Sequence, residues 1–108
     1  MDDVMVSDFT RRIFNYLVDT VPDNIPVTYG QVANDVGGMA WGLGQNLGVI
    51  WEFCTANGHP HLNAMVVNSD TGLPGEAYTP NGHAVTRSEW EQIMNSIRIY
   101  PWDRIEIL

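Results

Sequence analysis

The stretch TYGQVANDVGG, residues 28–38, decides how the fold is read. Thr28 and Gln31 stand in the T-x-x-Q arrangement of a capping box, in which each side chain satisfies a backbone N–H that the first helical turn leaves without a partner. A short helix is therefore expected to run to about Val36, where Gly37-Gly38 supply the permissive dihedrals for a tight stop. A further helix can start near Met39, because Ala40, Leu43, Leu47, Ile50 and Cys54 recur three and four apart as one apolar stripe. Gly42, Gly44 and Gly48 interrupt it. Each costs roughly 1 kcal/mol relative to alanine in a helix interior, so they point either to close backbone packing or to a break between residues 44 and 48.

Before this stretch, residues 8–20 place Phe9, Ile13 and Leu17 at helical spacing, followed by Val21, with Ser7 as the N-cap and Pro22 as the stop. Beyond Asn57-Gly58 a strand is expected, with Leu62, Ala64 and Val66 facing one way and Asn63, Met65 and Val67 the other. Asn68 to Gly72 and then Pro74-Gly75 are rich in turn formers, which predicts a hairpin or wing with a weak return strand over residues 76–78. Thr86 and Glu89 make a second capping box, and Trp90, Ile93, Met94 and Ile97 mark the apolar face of a last helix that Pro101 must end. The final DRIEIL is expected as a short strand. The order of elements is that of a helix-turn-helix followed by a wing. The expected class is thus α+β and mostly α, a winged-helix-like arrangement in one domain over residues 1–108, long enough to bury a core without metal or disulfide staples.

Charge is the most informative bulk property. The chain has thirteen acidic residues against five arginines and no lysine, for a net charge of -8. Unassisted binding to nucleic acid draws most of its affinity from lysine and arginine at phosphates, for which this composition is poorly suited. No run approaches the ~18 apolar residues of a membrane span, and the opening MDDVMVSDF is acidic where a signal peptide would be basic, so a soluble, cytoplasmic protein is expected. The single cysteine, Cys54, cannot form an internal disulfide.

Catalytic and metal signatures are sparse. His59 and His61 have H-x-H spacing, but no nearby cysteine or carboxylate completes the three or four ligands that zinc needs; they and His83 read as loop histidines, and no metal is expected. Nothing resembles a nucleophile elbow or a paired-carboxylate constellation. GLGQNLG, residues 42–48, follows no strand and lacks the lysine of a phosphate-binding loop. The expectation is a protein that is not an enzyme and carries no cofactor.

IPVTYGQVANDVGG followed by AWGLGQNL, then a strand and a glycine turn, resembles the C-terminal domain of the O6-alkylguanine-DNA alkyltransferases and their non-catalytic alkyltransferase-like relatives. The resemblance covers about residues 25–75 and is most specific in the TYG-x-V-A part. It implies a helix-turn-helix whose first helix opens at a tyrosine that helps rotate a nucleotide out of the duplex, here Tyr29. It also implies a strand bearing the reactive cysteine, of which Val66-Val67 match the end. Two family features are replaced: Trp41 stands where the arginine that fills the gap in the duplex would be, and Asn63 stands where the cysteine would be. Ala64 and Met65 follow in place of histidine and arginine. Without a thiolate at that strand no group accepts an alkyl chain. Cys54 falls on the apolar stripe, where a buried neutral thiol is inert.

Among the tryptophans, Trp51 and Trp90 fall on or beside apolar faces and read as core. Trp41 falls on the opposite side from Leu43 and Leu47, with Gln45 and Glu52, and two readings stand for it: a contact residue on a recognition helix, or packing beneath the last helix. Tyr29 likewise reads as functional or as a core tyrosine at a helix start.

Two functional expectations follow. In the first, a non-catalytic module acts on DNA or a DNA-associated complex, with Tyr29, Trp41, Gln45, Asn46 and Asn63 as binding residues and positive charge brought by a partner subunit. In the second, an acidic protein binds a basic nucleic-acid-binding protein as an inhibitor or DNA mimic, as phage-type anti-restriction or anti-CRISPR proteins do. No arginine or lysine lies between Thr28 and Asn57, while Asp35 and Glu52 do, and carboxylates steer association with a basic groove.

Overall fold

A computed structural model describes residues 7–23, 25–38 and 42–107. Among these, four helices dominate: α1 (Asp8–Thr20), α2 (Tyr29–Val36), α3 (Leu43–Asn57) and α4 (Arg87–Ile99). Two strands of two residues each, β1 (Val27–Thr28) and β2 (Val66–Val67), pair in parallel, Val27 opposite Val66 and Thr28 opposite Val67. The chain is α+β and mostly α.

The caps form as the sequence predicts. Ser7 Oγ accepts from the Thr10 N–H at 3.1 Å to open α1, which buries Ile13, Phe14 and Leu17. Pro22 does not stop the chain's winding at once; a 3-10 turn, Val21–Asp23, carries it further. At α2 both capping-box bonds are present: the Gln31 N–H donates to Thr28 Oγ1 at 3.1 Å and the Thr28 N–H donates to Gln31 Oε1 at 2.8 Å. Gly37 closes α2 with φ 86°, a left-handed conformation that glycine adopts without a Cβ clash. The Tyr16 hydroxyl, which donates to Asp35 Oδ2 at 2.7 Å, ties α1 to α2.

No break interrupts α3 at its glycines. It runs from Leu43 to Asn57, with Leu43, Leu47, Ile50 and Cys54 buried against the core, and Gly58 at φ 71° ends it. The expected start at Met39 and Ala40 lies outside the described residues. Burial pushes the Cys54 thiol up to about 11, the behaviour of an inert core cysteine.

The region after α3 departs from the sequence reading. Leu62–Met65 is a 3-10 turn and only Val66–Val67 is strand; all six residues are buried, so the expected in-out alternation is absent. β2 takes its partner from β1 ahead of α2, and parallel pairing needs the long crossover that α2 and α3 provide. No return strand forms over residues 76–78. The turn-forming segment instead closes on itself, the Asn68 N–H donating to the Leu73 carbonyl at 2.9 Å and the Gly72 N–H to the Asn68 carbonyl at 2.8 Å.

α4 opens with its own capping box. The Glu89 N–H donates to Thr86 Oγ1 at 3.2 Å, and Glu89 Oε1 accepts from the Thr86 N–H at 2.9 Å. That backbone bond, then the Asn81 amide, with His83 and the Thr86 hydroxyl adding, holds the Glu89 carboxyl down to about 2. Trp90, 8% exposed, donates its Nε1–H to the Ala64 carbonyl at 2.9 Å and so anchors α4 to the Leu62–Met65 turn. Arg87 reaches the Thr71 carbonyl at 3.1 Å and covers the Trp90 ring. After Ile99 the chain makes a 3-10 turn, Trp102–Arg104, and continues extended without pairing, in place of the expected strand; Trp102 and Ile107 are buried in the core.

Candidate binding pocket

One face of α3 is built to be open. Gly44, Leu47, Gly48 and Trp51 follow the i, i+3, i+4, i+7 spacing of a single helix face, and all four line a pocket of about 170 Å³. A Cβ added at Gly44 or Gly48 would meet nothing within 4 Å beyond the backbone of its own helix. The opposite walls come from three places: Tyr29 at the start of α2, Asn63 on the Leu62–Met65 turn, and the loop Pro74, Gly75, Ala77, Tyr78.

Tyr29 and Asn63, distant in sequence, thus meet at one pocket. The Tyr29 hydroxyl oxygen accepts from the Gly75 N–H at 3.3 Å, and a Cβ on Gly75 would come within 3.0 Å of it, so glycine is what lets the loop close over the tyrosine. The hydroxyl proton has no acceptor among the described residues. Asn63 is 6% exposed, and its Oδ1 is buried without any hydrogen-bond partner. Buried polar atoms are almost always paired, so this amide oxygen, itself out of reach of solvent, is a departure from what folding alone favours.

The far wall is held by hydrogen bonds. The buried Tyr78 hydroxyl lies 2.7 Å from His61 Nδ1, and His61 Nε2 lies 3.3 Å from Thr55 Oγ1 on α3. A neutral His61 that accepts from Tyr78 and donates to Thr55 satisfies all three groups. Burial favours this state, holding the His61 imidazole below its ordinary range; burial, then the neighbouring Cys54, pushes the Tyr78 phenol above its own. The Tyr78 and Trp51 rings meet edge to face, centroids 5.1 Å apart. His59 bonds the Tyr100 hydroxyl at 2.6 Å among Phe53, Tyr100 and Trp102. Two histidines read from sequence as plain loop residues are therefore structural, and among the described residues no three His, Cys, Asp or Glu side chains gather as a metal set.

The remaining expected site residues do not join this pocket. Gln45 is exposed and lines a separate shallow groove on α3 with Val49, Glu52, Thr55 and Ala56; only Gly48 and Trp51 border both. Asn46 turns toward α1, where its Oδ1 accepts from the buried Thr10 hydroxyl at 2.7 Å, and its Nδ2 donates to the Gly42 carbonyl at 3.3 Å. Its amide is committed to helix packing and not to this pocket. Trp41 lies outside the described residues. Conversely Trp51, read as core, is half-buried and forms a pocket wall. Gly44 and Gly48 carried the one legible signal for this face, since glycine in a helix interior needs a reason.

The lining holds Tyr, Trp, Leu, Pro, Ala and Gly side chains and one amide, with no thiol and no charged group. It can bind and orient a small uncharged group. No helix is long and apolar enough to cross a membrane among the described residues. Comparison with family models, with curated proteins and with solved structures yields no match.

Proposed function

We propose that the protein is a non-catalytic binding protein that acts on DNA or a DNA-associated complex, receiving part of its partner in the pocket beneath α3. The observation that carries this reading is the convergence of Tyr29 and Asn63 on one lining. The alkyltransferase resemblance connects Tyr29 with nucleotide rotation and Asn63 with the position of the reactive cysteine. Asn63 has no nucleophilic atom to take an alkyl group, and the one thiol, Cys54, is sealed in the core, which supports binding without chemistry.

With no lysine or arginine from Thr28 to Asn57, phosphate contacts from this face are few, so affinity for naked DNA is weak and a basic partner in the complex strengthens it. Fluorescence anisotropy of labelled duplex and single-stranded DNA across a salt series tests this. Weak binding at ~50 mM salt is expected, and no binding there defeats the direct form of the reading.

The net charge of -8 favours a second reading, an acidic protein that binds a basic nucleic-acid-binding protein in place of its DNA. In that case the protein leaves labelled DNA unbound and displaces it from such a partner.

A further inference from the structure

Charge is spread unevenly over the helices. α1 carries Asp8, Arg11, Arg12 and Asp19, and α4 carries Arg87, Glu89, Glu91 and Arg98, as helices with a solvent face usually do. α3 is the longest of the four, yet Glu52 is its single charged residue. Glu52 is also the one Asp, Glu, Lys or Arg between Asp35 and Asp70, in a chain of net charge -8. On the side of α3 away from the core, Gln45, Gly48, Val49, Glu52 and Ala56 share one helix face and line the open groove of about 760 Å³ that Trp51 edges. All the lining residues of this groove belong to α3, so no other described element covers it. Val49 and Trp51 are only half-buried and Ala56 is exposed.

We propose that this face of α3 packs against the same face of a second copy of the chain, the two helices antiparallel about a two-fold axis between Gly48 and Val49. A two-fold makes every contact reciprocal, so such a face must complement itself. In this register Gln45 faces Glu52 of the second copy, amide donor to carboxylate, and the same pair recurs at the other end. Val49 faces Gly48 of the second copy and fills the space beside it, where a Cβ would meet nothing beyond its own helix. The two Glu52 carboxylates then lie two helical turns apart, roughly 10 Å along the axis and about one Debye length in 0.1 M salt. A parallel pair would set Glu52 against Glu52. Charge also selects the occupant: two copies of net charge -8 repel least where they meet on the helix nearly free of acids, while a basic partner would find one carboxylate there. A helix of 15 residues spans roughly 22 Å, so the pair buries less than the ~1,200 Å² of a standard interface and is weak and reversible. Self-association on this face is independent of the DNA reading, because it needs no nucleic acid.

Sedimentation equilibrium of the full chain from ~10 to ~500 μM in ~150 mM salt tests it. The mean mass is expected to climb from 12.1 kDa toward twice that value, with a Kd on the order of 100 μM. Val49→Glu, which puts a carboxylate beside the two-fold, is expected to stay at the single-chain mass throughout while keeping the wild-type circular dichroism spectrum. Gln45→Lys creates reciprocal ion pairs with Glu52 of the second copy and is expected to tighten association about fivefold. Gln92→Lys makes the same change in net charge on the exposed side of α4 and is expected to alter association by less than about twofold. A mass fixed at the single-chain value across the range overturns the proposal and leaves the face to another partner, such as a basic helix. Association of Val49→Glu like the wild type, or of Gln45→Lys no tighter than Gln92→Lys, overturns it as well. Gln45 is exposed, so its variant keeps the test decisive even if Val49→Glu does not fold.

Discussion

Replacing Gly48 with alanine should make the protein more stable, by an amount the structure sets. Gly48 lies inside α3, has no left-handed φ, and faces open space, so the added methyl neither clashes nor gains packing. What remains is the helix preference of alanine over glycine, about 1 kcal/mol. An unfolding entropy of about 2.1 cal/mol/K per residue gives roughly 0.23 kcal/mol/K for this chain, so the thermal midpoint should rise by about 4 °C. The same substitution at Gly58, φ 71°, forces a side chain into the left-handed region and should lower stability by about 1–2 kcal/mol. Circular dichroism melts and urea titrations of the two variants give the comparison. If Gly48→Ala lowers the midpoint, something packs against that glycine after all, and the reading of open space beside it is wrong.

Other expectations concern the anchors of the fold. Trp90→Phe removes the donor to the buried Ala64 carbonyl and should cost about 1–3 kcal/mol in urea unfolding; an unchanged midpoint would mean the bond contributes little. Because the folded Glu89 carboxyl is held below its unfolded value, its contribution is present above about pH 4.5 and drains away as pH falls toward about 2. Glu89→Gln should flatten the acid limb of a stability-versus-pH curve in that window, and an unaltered limb would count against the capping-box account. Cys54 should resist a thiol reagent at pH 8 in the folded protein and react fully in denaturant, since burial raises its thiol to about 11.

The helices were legible because their start signals are local. Ser7, Thr28 with Gln31, and Thr86 with Glu89 cap as their spacing predicts, and the apolar stripe of α3 is the buried one. The sheet was not legible. Val27–Thr28 is two residues beside Pro26, too short to register as a strand, and its partner lies across two helices. Without knowledge of β1, the buried run from Leu62 to Val67 looked like a longer strand and the turn formers after it like a hairpin. The site was half legible. Tyr29 and Asn63, singled out from motif positions, both line the candidate pocket, whereas the turn of Asn46 toward Thr10 depends on how α1 crosses α3. Trp51, Gly75 and Tyr78 became visible as walls only once the loop after β2 was seen to fold back onto Tyr29.

On the proposed function, the partner enters the pocket between Tyr29, Asn63 and the glycine face of α3. The most direct measurement is a ¹H–¹⁵N NMR titration of the labelled protein with single-stranded DNA at ~50 mM salt. Shifts are expected to concentrate at the Asn63 side-chain amide and the backbone amides of Gly44, Gly48 and Gly75. No shifts at all, or shifts confined to α4 and the segment after it, would contradict it.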